Sequence, residues 1–206
     1  ENRIVKIRSE IQKVNQNNIA FEKYDGSNIG IAKVDGQIFA LTRSGYIAST
    51  SPHLQHHVFS CWVEKNINIF KELLNEGERI TGEWLLQAHG LMYYIKKEPI
   101  VFFDYFKKGN QRALNEELES ISSKFDIPLA RKLHEGSSIS VDELLPILNQ
   151  KTKNIESVGM PEGIIYRVER KGKVDFLAKW VRSDFEAGKF CINKEQSELI
   201  YNTTID

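Results

Sequence analysis

Cysteine is scarce in this chain of 206 residues, which contains only Cys61 and Cys191. Two cysteines cannot build a disulfide framework, and their separation is not a metal-ligand spacing, so small secreted disulfide scaffolds are excluded. Long apolar runs are missing as well, since no stretch approaches the ~18 consecutive apolar residues of a membrane span. The first residues, ENRIVKIRSEIQKV, are too charged for a signal peptide. We expect a soluble, cytoplasmic protein without a membrane partner.

Net charge is also absent, because 28 Lys and Arg residues balance 28 Asp and Glu residues. Such a chain does not coat nucleic acid by bulk attraction, so any site for a polyanion must be local. The charges are nevertheless distributed unevenly. Residues 163–194 contain eight basic and four acidic side chains, whereas residues 111–150 contain four basic and seven acidic ones. The first stretch is where a nucleic-acid surface is expected.

Hydrophobic residues make up 41% of the chain, which supports a buried core and excludes disorder as the dominant state. No repeat, low-complexity tract or Pro/Gly/Ser-rich linker divides the sequence. We therefore predict a single domain over residues 1–206, monomeric by default.

Strands are predicted where apolar and polar residues alternate or where β-branched and aromatic residues concentrate. The dipeptides Asp35-Gly36 and Lys171-Gly172 interrupt two of these segments and predict hairpins. The predicted strand segments are residues 19–42, 78–87, 99–107 and 163–181.

Helices are predicted from apolar residues at helical spacing, first as one helix over 55–75. A helical insert is predicted over about 110–154, where NEELESISSKF and SVDELLPILNQ are amphipathic. Ser140 precedes an acidic first turn and is a suitable N-cap. Together these elements predict an α+β fold of antiparallel sheets flanked by helices.

The segment EKYDGSN places charged residues at the end of an apolar strand, where burial is costly unless the charges are used or paired. Within it, Gly26 allows a ligand to approach the backbone, and Asp25 could hold a metal or orient Lys23. The same Lys-x-Asp-Gly pattern recurs at residues 33–36, and we interpret that second copy as a turn.

Six segments, taken in order, resemble the nucleotidyltransferase signature of ATP-dependent RNA ligases, and they extend from about Phe21 to Arg182. They are EKYDGSN, TRSG, GEW, FFDYF, EGIIYR and FLAKWVR. The set is most similar to the branch typified by the second RNA ligase of phage T4, and more distantly to DNA ligases and mRNA-capping enzymes.

Only 24 residues follow Arg182, so we expect no room for a full C-terminal accessory domain.

The resemblance implies an ATP-grasp-like nucleotidyltransferase domain that works in three steps with ATP and Mg²⁺ or Mn²⁺, in a role such as RNA repair. A lysine takes AMP from ATP, passes it to an RNA 5′-phosphate, and a 3′-hydroxyl then displaces AMP to seal the strand. Lys23 would be the nucleophile, with Asp25 beside it. Lys179 would neutralise the α-phosphate.

The resemblance also implies the residues that bind nucleotide and metal. Glu83 would accept hydrogen bonds from the ribose hydroxyls, and Phe103 would stack on the purine. Glu22 would contact the adenine amino group. Glu162 would help hold the divalent metal, which keeps most of its waters. Simpler interpretations stay open. In these, Lys23 is a solvated strand lysine, Phe103 is a core residue, Glu162 is a carboxylate that caps the following strand, and the residues Asn28 and Arg43 make ordinary loop hydrogen bonds.

Asn28 and Arg43 match residues that engage the RNA 5′-phosphate in similar ligases, a task for which the planar arginine fork is suited. The sequence departs from the family at Leu177, where relatives carry the first of two lysines. Arg182 or Lys173 could supply the second phosphate cation instead.

Two other functions remain compatible with the same motifs. One is a capping-type guanylyltransferase that uses GTP, and the other is a non-catalytic module that binds nucleotides or RNA ends. The neighbouring residues His53, His56 and His57 are not assigned to a metal, because adjacent side chains point apart on a helix and no further ligand follows at a suitable spacing.

Overall fold

The computed structural model describes residues 16–152 and 154–204, so the charged start of the chain and Lys153 lie outside the described residues. Within these residues the strands are β1 (Gln16–Lys23), β2 (Ser27–Val34), β3 (Gln37–Thr42), β4 (Arg79–Trp84), β5 (Tyr93–Ile95), β6 (Ile100–Lys107), β7 (Gln111–Arg112), β8 (Lys132–Gly136), β9 (Ile155–Ser157), β10 (Gly163–Arg170), β11 (Lys173–Val181) and β12 (Thr203–Thr204). The α-helices are α1 (Leu54–Lys65), α2 (Ile67–Leu73), α3 (Asn115–Phe125) and α4 (Val141–Leu148).

The strands form three sheets. Sheet 1 has the order β11-β10-β1-β8, sheet 2 has the order β3-β2-β4-β6-β7, and the small sheet 3 has the order β12-β5-β9. Neighbouring strands are antiparallel except for β12 and β5. The α+β class predicted from the sequence is therefore confirmed.

Both predicted hairpins are present, as β2–β3 and β10–β11. Their turn residues have positive φ angles, 49° and 73° at Asp35 and Gly36 and 50° and 72° at Lys171 and Gly172. Two consecutive positive φ angles define the type I′ turn, whose twist matches that of the flanking strands. The second Lys-x-Asp-Gly copy is thus a hairpin turn, as predicted.

The helix predicted over 55–75 is divided into α1 and α2 at Asn66. The Asn66 side chain donates to the carbonyl of Trp62 at 2.9 Å, and its backbone N–H also bonds to that last turn. A side chain that bonds to helix carbonyls can end a helix, although the apolar residues of the sequence continue at helical spacing. The prediction of one continuous helix is therefore wrong.

The predicted helical insert contains α3 and α4, and the Ser140 side chain accepts the N–H of Glu143 at 3.3 Å as its N-cap. However, the segment also contains β8, which pairs with β1 at the edge of sheet 1. The insert is therefore not purely helical, because part of it extends a main sheet.

Helices cover one face of each main sheet. Sheet 2 packs against α1, α2 and α3 through a cluster that includes Ile31, Phe59 and Phe70. Sheet 1 packs against α4, where Leu144 contacts a cluster containing Ile164. The uncovered faces of the two sheets turn toward each other, and the predicted functional residues gather between them.

Candidate active site

An open cleft lies between sheets 1 and 2, with an empty volume of about 760 Å³ that includes its solvent-filled mouth. Five of the residues predicted for the site line this cleft, together with Leu177, where the resemblance leads us to expect a lysine. The five are Glu22, Lys23, Asn28, Glu83 and Phe103.

Strand alternation builds the wall that sheet 1 contributes. Phe21, Ile165 and Lys179 are cross-strand partners on β1, β10 and β11, and partners in an antiparallel sheet project to the same face. Leu177 stands opposite Arg167 in the next row. One face of three strands therefore presents apolar side chains together with two cations, Arg167 on the central strand β10 and Lys179 on β11.

Lys23 is the last residue of β1, and its Nζ donates to Oε2 of Glu162 at 2.7 Å. Glu162 is 5% exposed. Burial raises the pKa of Glu162, and the nearby charges of Lys23 and Lys179 oppose that rise. The fold therefore brings together Lys23, Glu162 and Lys179, which were predicted as the nucleophile, the metal ligand and the phosphate cation.

Asp25 is fixed by a loop formed by residues 85–93. Its Oδ2 accepts the backbone N–H groups of Gly90 and Leu91 at 2.5 and 2.9 Å, and its own N–H donates to the hydroxyl of Tyr93 at 2.8 Å. Asp25 thus anchors the backbone next to Lys23.

Gly26 has a different role from the one expected. A Cβ at this position would lie 2.5 Å from the carbonyl oxygen of Trp84, closer than real contacts allow. The glycine is therefore required for close packing of β2 against β4, and the expectation that it makes room for a ligand is not needed to explain it.

Glu83 lies opposite Asn28 in the β2–β4 ladder, and both side chains line the cleft. Oε1 of Glu83 accepts the N–H of Gly26 at 3.1 Å. Burial raises the pKa of Glu83 to about 7, although Lys23 and the Gly26 N–H lower it. A buried carboxylate with few donors can accept hydrogen bonds from a ligand.

Glu22 projects to the cleft from β1 and pairs with Arg131, whose Nη1 lies 3.4 Å from Oε2 of Glu22. Arg131 also donates to the carbonyls of Ile147 and Leu148 at the end of α4. Burial raises the pKa of Glu22 to about 7, against the charge of Arg131. Sequence reasoning missed Arg131, because no motif marks it.

Phe103 occupies a β-bulge. The register of β4 with β6 pairs Thr81 with Asp104 and Gly82 with Phe102, so Phe103 has no direct partner on β4. Bulges redirect side chains, and this one explains how the neighbouring residues Phe103 and Asp104 both line the cleft.

A buried ion network supports this bulge, and the sequence did not predict it. Arg167 of sheet 1 donates to Oδ1 of Asp104 at 2.6 Å and to Oε1 of Glu169 at 2.7 Å. Arg112 lies 3.0 Å from the same Asp104 oxygen. Asp104 and Arg167 therefore join the two sheets beside Phe103.

The two residues considered for the second phosphate cation lie in different places. Lys173 pairs with Arg170 at the start of β11, six residues from Lys179, which is about 20 Å along a strand. This distance argues against Lys173. Arg182 is closer, because its backbone N–H donates to the carbonyl of Glu162 at 3.1 Å, but its guanidinium pairs with Asp184 at 2.7 Å.

Arg43 lies in the exposed turn directly after β3. The preceding residue, Thr42, pairs with Ile29 of β2, so Arg43 is at the same end of sheet 2 as Asn28. It is not among the described residues that line the cleft.

Of the three neighbouring histidines, His56 is held by two serine hydroxyls. The two ring nitrogens of His56 each lie 2.7 Å from a hydroxyl, that of Ser27 and that of Ser51. Burial lowers the pKa of His56. Across residues 16–152 and 154–204, no group of three or more His, Cys, Asp or Glu side chains is arranged to hold a metal ion.

The RNA ligase family model matches residues 17–181, and the chain therefore belongs to the RNA ligase family. A comparison with curated protein sequences gives no match. No helix in the described part of the chain is long and apolar enough to cross a membrane.

Solved structures of ligases share the fold. A variant of the Naegleria gruberi RNA ligase with ATP and Mn has a TM-score of 0.61 at 15% identity, covering 88% of this chain and 53% of that chain. An archaeal ATP-dependent RNA ligase has a TM-score of 0.58 at 18% identity, with coverages of 86% and 45%. A protein from Aquifex aeolicus assigned as an ATP-dependent DNA ligase has a TM-score of 0.59 at 20% identity, with coverages of 87% and 46%. The chain spans about half the length of these structures.

Proposed function

We propose that this chain is the catalytic domain of an ATP-dependent RNA ligase that adenylates itself on Lys23. The observation that carries the proposal is the position of the Lys23 amine, which enters a cleft lined by Glu83 and is hydrogen-bonded to Glu162. The family assignment and the ATP- and Mn-bound relative support the same chemistry.

The residues of the cleft fit an adenine nucleotide. Phe103 and Leu177 offer apolar surface for the base, and the carboxylate of Glu22 can accept a hydrogen bond from its amino group. Among the described residues, Glu83 receives one hydrogen bond, from Gly26. The two ribose hydroxyls would supply further donors to this partly buried carboxylate.

Glu162 fits a divalent cation such as Mg²⁺ or Mn²⁺, because such ions need few protein oxygens when substrate phosphates complete the coordination. When bound there, the ion would neutralise phosphate charge and favour the neutral amine of Lys23.

In the first step, the nitrogen of Lys23 forms a bond to the α-phosphorus of ATP, and the bond to the bridging oxygen of pyrophosphate breaks. The amine must have lost its proton before attack, because an ammonium has no lone pair. Lys179 stabilises the negative charge that develops on the α-phosphate. Asp25 keeps the backbone beside Lys23 in place.

In the later steps, an RNA 5′-phosphate oxygen displaces Lys23 from the adenylate, and an RNA 3′-hydroxyl then displaces AMP to form the phosphodiester. Arg43 and Asn28 would hold the 5′-phosphate at the mouth of the cleft.

The test supplies α-labelled ATP or GTP with Mg²⁺ and then adds nicked RNA, single-stranded 5′-phosphorylated RNA or nicked DNA. We expect label from ATP on the protein, sealed RNA, and neither product with Lys23→Ala. Lys33→Ala, in the Lys-x-Asp-Gly copy at the β2–β3 turn, is the matched control and should behave as wild type. Labelling by GTP would indicate a guanylyltransferase, sealing of nicked DNA alone a DNA ligase, and absence of label a non-catalytic binding module.

A further inference from the structure

Residues 183–204, here called the C-terminal segment, follow the part of the chain that matches the RNA ligase family model. The segment returns to the loop of residues 85–93. Backbone hydrogen bonds join Ala88 N–H to the carbonyl of Ile200 at 2.9 Å and Phe190 N–H to that of His89 at 2.7 Å. The loop that holds Asp25 is therefore itself held by chain outside the matched region.

Asn202 makes the most extensive of these contacts. Its Nδ2 donates to the carbonyl of Leu85 at 2.6 Å, and its Oδ1 accepts the N–H of Tyr93 at 2.8 Å. Its backbone N–H donates to the carbonyl of Leu86 at 2.8 Å. Asn202 is 8% exposed, so these bonds are shielded from competing water.

Tyr93 connects Asn202 to the site. Its N–H bonds to Asn202, and its hydroxyl accepts the N–H of Asp25 at 2.8 Å. Tyr93 is 2% exposed and fixed among apolar side chains, so its two ends cannot move independently.

Gly90 provides a second connection. Its N–H donates to Oδ2 of Asp25, and its other side is packed against the C-terminal segment. A Cβ at Gly90 would lie 2.5 Å from the carbonyl of Glu186 and 2.6 Å from the ring of Phe185. The loop is therefore enclosed between Asp25 and the C-terminal segment.

We propose that Asn202 is a positioning residue that sets Asp25, and through it Lys23, by fixing the loop of residues 85–93. The link between Asn202 and Asp25 stands on the contacts alone, whereas its consequence for adenylation rests on the proposed function. Precise placement of a nucleophile matters because a misplacement of ~1 Å can cost about a hundredfold in rate.

The experiment compares Asn202→Ala and Asn202→Asp with wild type and with Ser197→Ala, an exposed control in the same segment. Asn202→Asp retains the acceptor for Tyr93 but loses the donor to Leu85. The first readout is hydrogen exchange at the Gly90 and Leu91 amides, with the amides of Ile31 and Ile80 in sheet 2 as an internal reference. The second is the rate of lysyl-adenylate formation at varied ATP concentration.

We expect Asn202→Ala to raise exchange at Gly90 and Leu91 by about tenfold or more without changing exchange at Ile31 and Ile80. Adenylation at saturating ATP should fall about tenfold while KM for ATP stays within about twofold, because no ATP contact is removed. Asn202→Asp should give an intermediate effect, and it carries the same test if Asn202→Ala does not fold.

Unchanged exchange at Gly90 and Leu91 would overturn the proposal, as would a uniform rise that includes Ile31 and Ile80. Raised exchange with normal adenylation would overturn the link to Lys23. If wild-type protein takes no label while exchange still responds to Asn202, the proposed function fails and the positioning of Asp25 by Asn202 is supported.

Discussion

The Nζ atom of Lys23 lies 2.7 Å from Oε2 of Glu162, so the proposed nucleophile and the proposed metal carboxylate form an ion pair. Lys23 is the last residue of β1 and pairs with Gly163 of β10. Glu162 immediately precedes Gly163, so its side chain can reach that of Lys23. A Cβ at Gly163 would collide with the carbonyl oxygen of Trp180, so only glycine fits at this position. An ammonium in this pair is not nucleophilic, so Lys23 must lose its proton before it attacks ATP.

Glu162→Ala is expected to slow lysyl-adenylate formation by about a hundredfold, the effect of removing a preorganised electrostatic contact. A higher Mg²⁺ or Mn²⁺ concentration should restore part of the rate, because the residue acts through the ion. The measurement is the initial rate of labelling over a metal titration, with Glu156→Ala on β9 as the control. A rate deficit that metal does not change would assign Glu162 a structural role.

Glu83 is expected to make stability depend on pH. Burial raises the pKa of Glu83 to about 7, whereas glutamate in an unfolded chain titrates at about 4.3. Between these values the folded protein keeps a proton that the unfolded chain has lost. The contribution of Glu83 to the free energy of unfolding is therefore full below about pH 4.3 and is lost as pH rises through about 7.

Glu83→Gln removes this titration, so the variant should be more stable than wild type by roughly 1–3 kcal/mol at pH 8 and nearly equal to it at pH 4. Urea unfolding at several pH values measures the difference. Glu64→Gln, at an exposed position of α1, should retain the wild-type pH dependence. Equal differences for Glu83→Gln at pH 4 and pH 8 would show that folding does not shift the pKa of Glu83.

Leu177 lines the cleft, and we expect it to contact the base. Leu177→Ala should raise KM for ATP by about 5- to 30-fold, equivalent to the loss of roughly 1–2 kcal/mol of apolar contact. Leu177→Met, which keeps the apolar volume, should stay within about twofold. Leu177→Lys would place a like charge opposite Arg167, so it should also bind ATP poorly. Faster adenylation in Leu177→Lys would show instead that this position serves the phosphates.

Arg43 is expected to act after adenylation, because it lies in an exposed turn outside the cleft lining. Arg43→Ala should form the lysyl-adenylate normally but seal RNA about ten- to a hundredfold more slowly, since a charge-assisted phosphate contact is lost. Preloading with labelled AMP and chasing with nicked RNA separates the steps, and Ser44→Ala is the adjacent control. Failure to load would place Arg43 in ATP binding.

The parts of the fold that sequence patterns predicted depend on local chemistry. The turns at Asp35-Gly36 and Lys171-Gly172 need only the left-handed conformations that these dipeptides favour. The break at Asn66 was not predicted, because it depends on a side chain competing for carbonyls within a continuous apolar pattern.

The candidate site was predicted where motifs mark it, as for Lys23 and Glu83. Sequence reasoning missed Tyr93, Arg131 and Asn202. Each of them bonds to residues that are distant in sequence, and none belongs to a recognisable sequence motif. Lys173 was considered because it is near Lys179 in sequence, but only the strand register shows how far apart the two lie.

Tandem mass spectrometry of the protein after incubation with ATP and Mg²⁺ is the most direct measurement of adenylation at Lys23. We predict one adenylate, with fragment ions that place it on Lys23. Lys33 should stay unmodified in the same digest, although it has the same Lys-x-Asp-Gly context. An adenylate on another residue, or no adenylate under conditions in which the folded protein binds ATP, would show that Lys23 is not the nucleophile.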